Sequence, residues 1–365
     1  MSFFSHSMNN KKETYFTRYL LQWNTKKNKR QMPWKGEKDP YKIWLSEIIL
    51  QQTRVEQGLT YYNRFIKNYP SIHKLAAAPE TTVFKLWEGL GYYSRCKNLI
   101  ATAKFISGEL KGKFPDTYED ILKLKGIGPY TAAAIASFAY NLPYAVVDGN
   151  VMRVLSRYFG ISTPIDSTDG KKYFTLLANK LLDKKVPASY NQAIMDFGAT
   201  VCKPQQPLCS ICPLHAGCVA FKKDLVKNCP VKAGKLIKKH RWFYYIIAEY
   251  KDSFFIRKRT QKDIWQNLHE FILIENDKAV DPEKIVASDL VNKIAGKKYK
   301  LLKITAKYKQ QLTHQTIYGC FIHIMLNKKT LLKDYELVEK TQMKKLAFPR
   351  LITAYFAGEG LSLFG

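Results

Sequence analysis

Four cysteines form the run Cys202-x6-Cys209-x2-Cys212-x5-Cys218, a loop of seventeen residues. Thiolates at these intervals can converge on one soft metal centre, either an iron–sulfur cluster or zinc. The spacing differs from the ferredoxin patterns, and no second Cys-x-x-Cys pair completes a zinc ribbon. Two carboxylates also stand out. Glu47 interrupts the apolar string Ile43-Trp44-Leu45-Ser46-Glu47-Ile48-Ile49-Leu50. Desolvation there raises a carboxyl pKa and keeps a fraction protonated near neutral pH, as a general acid requires. Asp148, in Val147-Asp148-Gly149-Asn150-Val151, stands just before an apolar helix, where it is a helix cap, a catalytic group or both.

A third string, Leu122-Lys123-Leu124-Lys125-Gly126-Ile127-Gly128-Pro129-Tyr130-Thr131-Ala132, joins two apolar helices through Gly126 and Gly128. Glycines permit positive φ and close backbone approach, and Pro129 suits the first position of a helix. Exposed amides at that helix start can bind one phosphate.

Helical periodicity over 41–54, 61–68, 82–90, 95–110, 118–124, 151–158 and 173–182 must position these groups. Pro, Gly, Asp and Ser punctuate the gaps. The segment 222–240 is basic and poorly patterned, and reads as a linker. Beyond it the signal changes to β-branched and aromatic strands over 242–250, 253–256, 271–274 and 317–326, with Lys251-Asp252 as a hairpin turn. Helices are expected over 281–295 and 348–356. The predicted organisation is a flexible N-terminus at 1–13, an all-α domain at 14–221 that includes the cysteine loop 202–218, the linker 222–240, and an α+β domain at 241–365 with a predominantly antiparallel sheet.

Lys and Arg number 59 against 30 Asp and Glu, a net charge of +29, which favours a polyanionic partner over a small metabolite. Seven cysteines, an odd number, argue for a reducing cytosol rather than a disulfide framework. The uncharged stretch 126–147 is broken by Pro129, Asn141 and Pro143, so it reads as a buried helix and not a membrane span. A soluble chain is expected.

The hairpin string, the Asp148 motif and the cysteine loop, in that order and at those intervals, resemble the helix-hairpin-helix DNA glycosylase superfamily over about residues 15–220. The resemblance implies one [4Fe–4S] cluster on Cys202, Cys209, Cys212 and Cys218, and contact of Gly126 and Gly128 with the DNA backbone. Endonuclease III-like members carry a lysine nucleophile two residues after the hairpin's second glycine. That position is Tyr130 here, so no amine is available for a Schiff base. The string from Trp34 through Val55 around Glu47, and Gly89-Leu90-Gly91-Tyr92-Tyr93-Ser94-Arg95, are similar to signatures of the MutY-type adenine DNA glycosylases.

That family resemblance implies specific roles. Glu47 would protonate N7 of a flipped-out adenine, and Asp148 would stabilise the oxocarbenium-like sugar or bond it transiently. Tyr130 and Asn150 would line the site, while Gln52 and Tyr92 would wedge into the duplex. The second domain would be Nudix-like (MutT-like) and would read 8-oxoguanine opposite the adenine. Its Trp265-Gln266-Asn267-Leu268 departs from the family in having Ile264 before the tryptophan and no pair of small residues after it. The clustered glutamates of a Nudix catalytic box are absent, so it would recognise a base rather than hydrolyse a nucleotide. Leu312-Thr313-His314 stands where relatives carry Phe-Ser-His, with the Thr313 hydroxyl to accept the N7–H of the oxidised purine and His314 as a side-chain donor. The implied protein is a monofunctional adenine glycosylase of base excision repair, acting as a monomer on duplex DNA with 8-oxoguanine:adenine or guanine:adenine mispairs. Cytoplasmic, nucleoid-associated localisation of the bacterial type follows, with no membrane partner. A glycosylase/lyase of the endonuclease III type and a non-catalytic metal-bearing DNA-binding protein are the competing readings.

Overall fold

The computed structural model describes residues 10–234, 237–296 and 298–358. Two compact units emerge. One comprises the described residues through His73 together with Ala101–Gly234, and the other Lys74–Ile100 together with the described residues after 236. Among the described residues no helix is long and apolar enough to cross a membrane.

The first unit is helical. Its Pro40–Leu50 helix starts at Asp39, whose side chain accepts the Tyr41 amide, and has Pro40 at its first position. This helix is buried nearly all round, and Glu47 is buried with its apolar neighbours. The Pro129–Tyr140 helix packs beside it and is also deeply buried through its alanine-rich centre. Gln51 Nε2 donates to Thr131 Oγ1 at 3.2 Å, tying the two helices where their functional ends meet. A large core gathers Phe16, Leu20, Val154, Phe174, Tyr190 and Phe197 from four further helices, Asn10–Lys26, Gly149–Phe159, Thr168–Leu181 and Pro187–Thr200.

Two of these helices depart from the sequence reading. Asn10–Lys26 begins inside the segment expected to be a flexible terminus, of which residues 1–9 lie outside the described residues. Pro187–Thr200 has no counterpart among the expected helices. The linker segment also proves to be tied down through Gly234. Arg157 Nε donates to the Cys229 carbonyl at 3.0 Å, Ile165 N to the Val231 carbonyl at 3.0 Å, and Ala233 N to Asp166 at 2.7 Å.

The second unit is built on seven strands: β1 (Lys239–Tyr250), β2 (Ser253–Lys258), β3 (His269–Asn276), β4 (Tyr299–Ile304), β5 (Tyr308–Gln311), β6 (Gln315–Leu326) and β7 (Glu336–Glu339). Their order is β4-β6-β1-β3-β2-β7, with β5 also paired to β6. All pairs are antiparallel except the long central pair β1–β6, which runs parallel from Lys239↔Gln315 to Glu249↔Met325. One face, with Tyr244, Ile246, Ile322 and Ile324, is covered by Ile285, Val291 and Ile294. On the other face, Phe271 and Phe321 pack against Phe348, Tyr355 and Phe356. The expected helix over 281–295 is two helices, Pro282–Val286 and Asp289–Ala295, because Ser288 accepts the Val291 amide and restarts the turn. Lys85 and Glu88 pin the Glu80–Trp87 helix to the C-terminal segment. Lys85 donates to the Leu346 carbonyl at 3.0 Å, and Glu88 accepts the Phe348 amide at 2.7 Å.

The β1–β2 turn has positive φ at both central residues, 47° at Lys251 and 57° at Asp252. That is the two-residue hairpin geometry that Asn-Gly fits best. Replacing the pair (Lys251→Asn with Asp252→Gly) should raise stability by about 0.5–1 kcal/mol by relieving the left-handed side chains. Urea unfolding of the whole chain checks this, and an unchanged or lower midpoint contradicts it.

Candidate active site and thiol cluster

Glu47, Tyr130, Asp148 and Asn150 come together on one cavity of about 570 Å³ in the helical unit. They arrive from different elements. Glu47 lies on the Pro40–Leu50 helix, Tyr130 at the start of Pro129–Tyr140, and Asp148 and Asn150 at the start of Gly149–Phe159. Glu47 is 6% exposed, and burial pushes its carboxyl up to about 7. The Tyr130 hydroxyl donates a hydrogen bond that lowers this value, while the neighbouring Asp148 raises it. The same burial and the two carboxylates hold the Tyr130 phenol well above its usual range, so Tyr130 stays a neutral donor.

Asp148 is a helix cap as well as a cavity residue. One oxygen accepts the Val151 amide at 2.7 Å and the other accepts Asn150 Nδ2 at 2.6 Å. Burial raises its pKa, opposed by these hydrogen bonds and by the Arg153 charge. With both oxygens accepting, the bonding favours the ionised form. Arg153 fixes the neighbouring amide: its Nη2 donates to Asn150 Oδ1 at 2.8 Å, leaving Asn150 Nδ2 to face Asp148. The same guanidinium reaches the carbonyls of Gly198 at 2.8 Å and Cys202 at 2.9 Å. Gly198 is required for this fit, since a Cβ there would lie 2.7 Å from Asn150 Cβ.

The four thiols border one small cavity together with Arg157 and His215. Among the described residues no group of three or more His, Cys, Asp or Glu side chains is gathered to hold a single metal ion. Burial pushes the Cys212 thiol up to about 12, and the other three thiols push the same way. Arg157 donates to the Lys203 and Pro204 carbonyls and lies 3.5 Å from Cys202 Sγ. Arg153 and Arg157, one helical turn apart, therefore bind the cysteine loop to the helix that carries Asp148.

In the hairpin string, Gly126 has φ +80° and starts the turn, whereas Gly128 has an ordinary φ of −100°. A Cβ on Gly128 would meet nothing within 4 Å. Nothing within the chain explains that glycine. Gln52 is exposed with φ 54°, and Tyr92 is 43% exposed with φ 49°. Both are left-handed non-glycine residues, a strained state that clusters at functional sites. In the second unit the structure brings Tyr92 to Thr313, their hydroxyls 2.6 Å apart. Thr313 and the exposed His314 lie in the loop between β5 and β6, closed by the Leu312 amide on the Gln315 carbonyl. Asn267, in place of a small residue, takes φ 71°, which asparagine tolerates. Sequence reasoning missed the contributions of Arg153, Gly198 and the 24–38 segment. An arginine three residues beyond Asn150, on the same helix face, was the available signal for the first.

Residues 45–179 match the HhH-GPD superfamily base excision DNA repair protein family, and 243–358 match a NUDIX domain. The chain is 36% identical over 327 residues to the adenine DNA glycosylase of Buchnera aphidicola subsp. Baizongia pistaciae (strain Bp), covering 87% of this chain and 88% of that one. The chain belongs to the adenine DNA glycosylase family. The Mus musculus member is 42% identical over 219 residues, 58% of this chain and 42% of its own length. A solved thermostable thymine-DNA glycosylase is 30% identical with a TM-score of 0.55, covering 59% of this chain and 98% of that one. A trapped endonuclease III–DNA covalent intermediate shares the fold at 20% identity and a TM-score of 0.52, over 60% of this chain and 99% of that one. The chain is a DNA glycosylase of base excision repair that hydrolyses the glycosidic bond of adenine, of the monofunctional MutY type.

Glu47 has a consequence for stability that does not depend on its role. Its folded value lies above the ordinary 4.5, so the fold favours the protonated form. The ionised carboxyl then costs the folded state increasingly as pH rises from about 4.5 to about 7, reaching about 3 kcal/mol above that window. Glu47→Gln should therefore raise Tm clearly at pH 8 and hardly at all at pH 4.5. Thermal unfolding at the two pH values checks this, and an equal change at both contradicts it.

Proposed function

We propose that the protein excises adenine mispaired with 8-oxoguanine or guanine, with Glu47 as general acid and Asp148 stabilising the sugar cation. The buried, proton-retaining Glu47 beside Asp148, whose two oxygens both accept hydrogen bonds, carries this reading, since two carboxyls of unlike bonding divide acid and electrostatic work. A flipped adenine enters the cavity, and the Glu47 proton passes to N7. The bond between C1′ and N9 breaks as the base leaves neutral, and its electron pair stays with the purine. The Asp148 carboxylate stabilises positive charge at C1′ or bonds it transiently. Water supplies the hydroxyl at C1′, and its second proton restores Glu47. Tyr130 keeps the Glu47 carboxyl oriented through its donated hydrogen bond, and Asn150 keeps Asp148 oriented.

Supporting features lie around this centre. Gly128 leaves room for a phosphate oxygen at the hairpin amides, with Gly126 making the turn. Gln52 and Tyr92, already held in left-handed conformations, wedge the duplex at the vacated base. Thr313, bonded to Tyr92, offers its hydroxyl to the N7–H of 8-oxoguanine, and His314 adds a donor. The thiol quartet fits one [4Fe–4S] cluster, with four soft donors on one cavity. Four thiolate ligands leave no coordination position for water, so the cluster would supply structural support and DNA positioning. The partner is duplex DNA, bound by a monomer through a strongly salt-dependent contact.

Single-turnover assays on an 8-oxoguanine:adenine duplex should show release of free adenine. Glu47→Gln should lower that rate by more than about 10³-fold while leaving duplex affinity within about threefold. Borohydride should trap no covalent adduct. Release of thymine glycol in place of adenine, or an intact rate in Glu47→Gln, contradicts the proposal.

A further inference from the structure

Asp196 has no exposed surface, yet it collects two cations and an amide from a distant stretch of chain. Arg30 Nη1 reaches Oδ1 at 2.9 Å, while Lys35 Nζ and Asn28 Nδ2 reach Oδ2 at 3.1 and 2.8 Å. The stretch that supplies them, between the Asn10–Lys26 and Pro40–Leu50 helices, has no regular secondary structure beyond a turn. It folds instead around this carboxylate. Lys35 Nζ also donates to the Arg30 carbonyl at 2.9 Å, and the Arg30 amide donates to Asn28 Oδ1 at 3.1 Å.

We propose that Asp196 is a positioning residue for base excision, fixing the wall that the 28–35 segment contributes to the catalytic cavity. Arg30, Met32, Trp34 and Lys35 from this segment line the same cavity as Glu47 and Asp148. An irregular segment has no backbone ladder to hold it, so its shape depends on side-chain anchors. A buried carboxylate meeting three donors is such an anchor, because removing it leaves two cations without their partner in a partly desolvated place. The Pro187–Thr200 helix, which carries Asp196, also lines the cavity with Gln192 and Met195. A displacement of about 1 Å in a wall that orients a reacting base is enough to cost about 10²-fold in rate.

The inference rests on the cavity being the adenine site, and the unsubstituted enzyme tests that separately. If it releases no adenine from an 8-oxoguanine:adenine or guanine:adenine duplex, the functional reading fails and not the anchor. With an active parent, Asp196→Asn should lower the single-turnover excision rate about 10- to 100-fold while duplex Kd stays within about threefold. Asp196→Glu should recover part of the rate. Asn28→Ala, a milder change at a residue outside the cavity lining, should lower the rate about 3- to 10-fold and serves if Asp196→Asn does not fold. A rate within about twofold of the parent in folded Asp196→Asn or Asn28→Ala overturns the proposal, even if Tm drops. So does a loss of duplex affinity as large as the loss of rate.

Discussion

A carboxyl group kept out of water holds its proton to higher pH, and that constraint shapes the helical unit around Glu47. The Pro40–Leu50 helix is buried on nearly every side, so the short Glu47 side chain is largely shielded from water and opens only on the cavity. Burial alone would make this residue an inert, protonated core group. Its value near 7 is set first by that burial, lowered by the hydrogen bond from Tyr130 and raised by the neighbouring Asp148. Asp148 lies in the same cavity under the opposite arrangement. Two donors meet its oxygens and an arginine stands behind them, so its bonding favours the charge that Glu47 resists.

Two buried carboxyls with different hydrogen-bond partners need separate supports. Asp148 is fixed by being the cap of its own helix, and Asn150 and Arg153 extend that cap into the chain behind it. Arg153 and Arg157 carry the same helix into the cysteine loop through backbone carbonyls. The loop and the helix that carries Asp148 are thus held together as one unit.

Much of this was legible in the sequence because the signals were local. Asp39-Pro40, Gly128-Pro129 and Asp148-Gly149 each mark a helix start, and the functional residues sit within or just after these starts. Lys251-Asp252 was readable as a turn for the same reason. The Pro187–Thr200 helix was not, because Asn191, Asp196 and Gly198 occupy buried positions and erase the apolar periodicity. Each is polar or small because of a partner far away in sequence. Asn191 satisfies the Val146 amide and the Tyr144 carbonyl, Asp196 meets Arg30 and Lys35, and Gly198 admits Asn150. The parallel pairing of β1 with β6 was hidden likewise, since 64 residues separate the two strands and no single turn sets their register. Within the second unit, the contact of Tyr92 with Thr313 joins two motifs 221 positions apart that the sequence presents separately.

Catalysis by this site requires that the proton held by Glu47 be the one delivered to the base. The most direct measurement is the single-turnover rate of adenine release as a function of pH, under saturating enzyme so that binding does not limit. The rate should decline above about pH 7, approaching a tenfold loss per pH unit, as Glu47 ionises. A rate that stays flat to pH 9, or rises through that range, would contradict the assignment of Glu47 as the acid.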